Sequence, residues 1–154
     1  MSKKLNFKEI SIHAGPKQSP GFLLWHISTS WRSSIESTLK TQGLTHPQFV
    51  ILATSGWLTR NGAVTTQVAI GKMAGLDPNT TSQIIKGLEQ KELLTRSKSA
   101  DGRAKNVSLT PKGSEILKVA VPAVEQADVK FFSMLTKNET GILIDLFQKL
   151  IMEY

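Results

Sequence analysis

The chain has 154 residues, 40% of them hydrophobic, and 19 Lys and Arg against 12 Asp and Glu leave a net charge of +7. That is enough apolar material for one folded domain with helical extensions, which excludes a disordered tail, and the basic excess suits nucleic acid or an anionic surface as partner. Having no cysteine excludes a disulfide scaffold, thiolate zinc sites, cysteine nucleophiles and thiol redox sensing, and no apolar run nears the ~20 residues needed to span a bilayer, so a cytoplasmic protein without a membrane partner is expected.

Residues 1–18 are polar and mixed, interrupted by Gly15-Pro16, and read as an N-terminal arm. Met1 to Lys8 is not followed by the apolar run and small-residue cleavage site of a signal peptide. Leu24, Ile27, Trp31, Ile35 and Leu39 then recur every three or four residues, the spacing of one face of a long helix. Ser19 and Pro20 suit its N-cap and first position, and Gly43 its stop. Thr45 and Gln48 have capping-box spacing, with Leu44 and Phe49 placed as a hydrophobic staple, so a second helix starts at Thr45 and ends near Arg60.

Ala63-Val64 reads as a very short strand, and Thr65 as the cap of a third helix over 66–74 that Gly75 ends. Asp77-Pro78 is an N-cap and first position for a fourth helix running to about Lys91, with Ile84, Ile85 and Leu88 as its apolar stripe. Helix, tight glycine turn and helix make a helix-turn-helix. Strands over 93–97 and 106–109 form a hairpin around a turn at 99–102. Thr110-Pro111 opens a long fifth helix that Pro122 should kink or split. The last helix, with Ile142, Leu143, Leu146, Phe147, Leu150 and Ile151 on one stripe, needs a partner surface.

The span 65–109 carries the chemistry. A helix that enters the major groove must present short hydrogen-bonding side chains near its N-terminus, and Asn79, Thr80, Ser82 and Gln83 do so. Lys86, one turn on, is placed for the phosphate backbone. Acid is absent from 78–88, where a carboxylate would repel phosphate. The hairpin adds Arg96, Lys98, Arg103 and Lys105, opposed only by Asp101, which is spaced to hold the Arg103 guanidinium. Such a hairpin can follow phosphates or insert arginine into a narrow minor groove.

The run from Leu76 to Gln83, then Leu88-Glu89, the pattern Asp101-x-Arg103-x-Lys105, and Leu109-Thr110-Pro111-Lys112-Gly113 together resemble the MarR family of bacterial transcriptional regulators. The likeness follows the element order over roughly 19–152 and is densest over 65–113. It implies a mainly α fold with a short β-hairpin wing, a winged helix-turn-helix flanked by N- and C-terminal dimerisation helices. The arm would be 1–18 and the family domain 19–154, with dimerisation helices in 19–44 and 114–154 and the winged helix-turn-helix in 45–113. It also implies a homodimer on a palindromic double-stranded DNA operator, the 79–86 helix in the major groove, Arg103 in the minor groove, and release by a small aromatic effector. The expected DNA-facing set is Thr65, Asn79, Thr80, Thr81, Ser82, Gln83, Lys86, Arg96, Lys98, Asp101, Arg103 and Lys105. Two positions depart from the family pattern. Glu92 stands where glycine is usual, so either the helix ends differently or Glu92 bears positive-φ strain. Thr81 stands where an aliphatic residue is common; if packed inward, its hydroxyl should bond back to the preceding turn.

Trp25, His26, Trp31 and Phe49 are candidates for an effector pocket, although core and dimer packing is the stronger reading of the aromatic residues, Trp57 included. His26 lies among apolar residues and reads as a core histidine. With His13 and His46 it shows no metal-ligand spacing, so no metal site and no cofactor are expected. Protonation of His46, in a first helical turn, is disfavoured by the helix dipole. Glu89 and Glu92 read as a solvated helix end. No phosphate loop, nucleophile elbow or zinc-protease motif marks an enzyme. Repression at an operator is the leading function, against a winged-helix protein-interaction module or a non-specific architectural DNA binder.

Overall fold

In a computed structural model, described over residues 5–99, 102 and 104–152, the chain orders as seven α-helices and one small sheet. Helix α1 is Phe7–Ile10, α2 Pro20–Leu39, α3 His46–Thr59, α4 Gln67–Ala74, α5 Pro78–Gln90, α6 Pro111–Phe131 and α7 Lys137–Ile151. Strands β1 (Thr65–Thr66), β2 (Leu94–Lys98) and β3 (Lys105–Leu109) form an antiparallel sheet of order β1-β3-β2.

Local signals set most boundaries. Ser19, Thr45, Asp77, Thr110 and Thr136 all cap through their side chains, four of them followed by proline in the first turn. The Thr45/Gln48 capping box closes in both directions. The expected strand at Ala63-Val64 is instead Thr65–Thr66, and the cap moves one residue on. Thr65 pairs with Val107 and is buried, while the Thr66 hydroxyl accepts from Ala69 N–H at 3.2 Å. Pairing with β3 thus takes Thr65 from the cap role. Pro122 does not split α6, because Ala120 and Val124 pack into the core on either side of the lost hydrogen bond. The arm holds α1 and a 3-10 turn at Pro16–Gln18.

The core joins Ile35 and Leu39 of α2, Ile51 and Leu52 of α3, Ile70 of α4, Ile85 and Leu88 of α5, Leu94 and Val107 of the sheet, and Ala120 and Val124 of α6. Each large side chain so buried contributes about 1.5–3 kcal/mol. This core fixes α5 and the β2–β3 hairpin to the same scaffold. The N-terminal half of α2 and all of α7 lie outside it. Leu24 and Ile27 are exposed, and α7 has no buried residue although Ile142, Leu146 and Leu150 line one of its faces.

Candidate nucleic-acid interface

Asp77 begins α5. Its carboxylate accepts from the Thr80 hydroxyl and from the Thr80 N–H at 3.0 Å, and these bonds hold it below the usual carboxylate range. Ile85 and Leu88 then turn to the core, with Thr81 beside them at 1% exposure. The opposite face carries Asn79, Gln83 and Lys86 at i, i+4 and i+7, one exposed stripe, flanked by exposed Thr80 and half-buried Ser82.

Beside this helix stands the β2–β3 hairpin. Lys98 and Lys105 are the cross-strand partners next to its turn, so two exposed cations sit opposite each other near the tip. Like charges in that register repel unless an anion lies between or above them. The hairpin tip closes through Gly102 N–H to Ser99 O and Ser99 N–H to Ala104 O, both 2.9 Å, with Gly102 at φ +70°. Asp101 and Arg103 lie outside the described residues.

Three members of the expected set sit elsewhere than on this face. Thr65 is buried in β1 at 5% exposure. Thr81 faces inward and its hydroxyl donates to Asp77 O at 2.8 Å, as a threonine in an aliphatic position must. Arg96 is engaged within the protein. Its Nε donates to Glu89 Oε2 at 2.8 Å, its backbone N–H to Glu89 Oε1 at 3.1 Å, and its Nη1 to Gln67 Oε1 at 3.2 Å. Glu89 is therefore an ion-pair partner and not a solvated carboxylate. Glu92 does bear φ +60°. It ends α5 in a Schellman motif, with Leu93 N–H bonded to Leu88 O and Glu92 N–H to Glu89 O.

The four effector candidates divide into two pairs. Trp25 and His26 are exposed on the outer half of α2, His26 stacked 6.4 Å from Phe22, so His26 is not a core histidine. Trp31 and Phe49 are half-buried against the core where α2, α3 and α6 meet. Trp31 Nε1 donates to Asp128 Oδ1 at 2.7 Å, and its ring meets His46 edge-on at 5.0 Å. Burial, then the nearby Arg32 guanidinium, push the His46 pKa down, while Glu36 and Asp128 oppose them. A cavity of about 880 Å³ at the arm, a groove of about 800 Å³ between α2 and α6 and a cleft of about 150 Å³ between α4 and α5 are lined by other residues. Trp57 is exposed beneath the Arg60 guanidinium, 3.8 Å from its ring centroid, and is not a core residue.

Sequence reasoning missed Gln67 and the inward role of Glu89. The available signal was the seven-residue spacing of Glu89 and Arg96 across a helix end and a strand start.

The fold agrees with what comparison finds. The MarR family model matches residues 44–105. The HTH-type transcriptional regulator YdcH of Bacillus subtilis is 35% identical over 130 residues, covering 84% of this chain and 88% of that protein. The chain belongs to the MarR family. The HTH-type transcriptional repressor Rv2887 of Mycobacterium tuberculosis is 25% identical, over 84% of this chain and 91% of its own. The solved structure of BpsR from Bordetella bronchiseptica, whose DNA binding is regulated by 6-hydroxynicotinic acid, superposes with a TM-score of 0.75 at 27% identity, over 84% of this chain and 96% of that one. Like its MarR-family relatives the chain is a winged helix-turn-helix transcriptional regulator that binds DNA, and no described helix is long and apolar enough to cross a membrane.

Proposed function

We propose that the protein is a homodimeric repressor that reads a palindromic operator and leaves it when a small aromatic effector binds. The observation that carries this reading is the exposed stripe Asn79, Gln83, Lys86, free of acid, beside the facing pair Lys98 and Lys105. Asn79 and Gln83 offer the donor–acceptor pairs that bond adenine, and Thr80 and Ser82 add hydroxyls. Lys86, Lys98 and Lys105 supply the phosphate contacts, and the family resemblance assigns the minor-groove contact to Arg103. Repression is supported by the repressor Rv2887.

The apolar faces of α7 and of outer α2 support the dimer, since exposed stripes of that size need cover. On this reading 19–44 and 114–154 join the copies and 45–113 meets DNA. Two-fold symmetry then sets the two α5 helices about one duplex turn, ~34 Å, apart. For the effector, Trp31 and Phe49 offer aromatic surface at the α2–α3–α6 junction, between the dimer helices and α3, and Trp25 and His26 lie further out on α2. The regulation of BpsR by an aromatic acid supports this part. Such a ligand acts only through tighter binding to the released arrangement than to the DNA-bound one.

Selection of bound duplexes from a random pool at near-physiological salt tests the reading. A palindromic consensus supports it. Binding without consensus makes the protein an architectural binder, and no binding even at low salt makes the winged helix a protein-interaction module.

A further inference from the structure

The Arg96 side chain joins three elements at once. Its guanidinium lies in strand β2 of the wing, its carboxylate partner Glu89 is in the last turn of α5, and its third partner, Gln67, is the first residue of α4. The pair is largely shielded, with side chains 20% and 28% exposed for Arg96 and Glu89. Beyond Leu94, strand β2 is held by its backbone pairing with β3, and Arg96 is its one side chain turned inward, because Thr95, Ser97 and Lys98 are all exposed. Arg96 is thus the side-chain anchor that β2 adds opposite the buried Val107 of β3.

We propose that Arg96, Glu89 and Gln67 form a clamp that sets the wing's lysines at a fixed offset from the reading face of α5, so that Arg96 is a positioning residue for DNA recognition and not a phosphate contact. The inference rests on the DNA-binding reading above. Two sets of contacts must be satisfied together: base edges by Asn79 and Gln83, and phosphates by Lys98 and Lys105. Glu89 lies ten residues beyond Asn79, about 15 Å along the helix axis. A hairpin that bends beyond the Arg96–Val107 pair moves its lysines relative to the base-reading end. The guanidinium suits the task because its planar fork donates to Glu89 and Gln67 in fixed directions, which an ammonium does not. Its charge is already met by Glu89, which leaves little for a phosphate.

The clamp and the phosphate-contact account predict opposite effects for Glu89→Gln. Removing a carboxylate near a duplex strengthens binding if charge alone matters. The clamp account expects Glu89→Gln to weaken binding to the duplex selected by the wild-type chain by about tenfold, with binding to a mixed-sequence duplex little changed. Arg96→Lys keeps the charge but not the fork. It should lose affinity by a similar factor, with the slope of log affinity against log salt retained. The double variant Glu89→Gln/Arg96→Lys should lose no more than either single variant, because one joint is broken either way. Circular dichroism of each variant separates unfolding from a displaced wing, and if Glu89→Gln does not fold, Arg96→Lys alone decides. Unchanged or tighter binding by Glu89→Gln, or full affinity in Arg96→Lys, overturns the clamp while leaving the DNA-binding reading intact. A wild-type chain that enriches no duplex overturns both.

Discussion

The α-carbon of Gly71 in α4 lies against the side chain of Thr81 in α5, so closely that a β-carbon at position 71 would stand 2.6 Å from Thr81 Oγ1. The hydroxyl cannot swing away freely, because it donates to Asp77 O at 2.8 Å. This contact sets how closely the two helices of the helix-turn-helix approach. Gly71→Ala should therefore push α4 from α5 and lower the unfolding free energy by about 1–3 kcal/mol, despite alanine's better helix propensity. Urea denaturation measures it. Adding Thr81→Ala removes the two nearest obstructing atoms, Oγ1 and Cγ2, and the double variant should be more stable than Gly71→Ala alone.

Glu92 holds a left-handed conformation at the end of α5, as Gly75 does at the end of α4. Its compensation is small: its carboxylate meets Lys112 Nζ at 3.2 Å in an exposed pair, a contact of little energetic weight. Glu92→Gly should stabilise the protein by about 0.5–1 kcal/mol, read as a higher urea midpoint at unchanged slope. A lower midpoint would mean that the Lys112 contact outweighs the strain.

Burial depresses the pKa of His46 from its ordinary 6.5. As pH falls below 6.5 the unfolded chain takes up the proton first, so stability is full above that pH and is lost as pH falls toward the lower folded value. The loss of stability between about pH 7.5 and pH 5 should be smaller in His46→Gln than in the wild type. Parallel pH profiles for the two chains would show that His46 is not responsible. In a Trp25→Phe/Trp57→Phe background, Trp31 fluorescence is a suitable probe, since its ring meets His46 at 5.0 Å.

Most of the architecture was legible because short-range rules govern it. Caps such as Asp77-Pro78 and Thr110-Pro111 fix helix starts within one turn of chain, and the core stripe Ile85–Leu88 follows from helical spacing. The run ending in Gly113 is legible only through the family pattern, because its reason is long-range: a β-carbon there would lie 2.1 Å from Leu93 O, 20 residues earlier. What escaped depends on contacts distant in sequence. The shift of the strand from Ala63-Val64 to Thr65–Thr66 is decided by pairing with β3, some forty residues on. The inward turn of Arg96 depends on Glu89, at the far end of α5, and on Gln67, 29 residues away. His26 sits in an apolar stretch yet is exposed, because hydrophobic spacing does not distinguish a core from a face left for another molecule.

The claim that α5 reads base edges is tested most directly by measuring affinity on the duplex selected by the wild-type chain and on its single-base variants, for wild type and Gln83→Ala. The expected result is one position in each half-site where substitution costs the wild type about 1–3 kcal/mol and costs Gln83→Ala almost nothing. Lys98→Ala serves as the contrast, weakening all duplexes alike and reducing the salt slope by about one. Equal discrimination by Gln83→Ala and wild type at every position would contradict the assignment of the exposed α5 stripe as the reading surface.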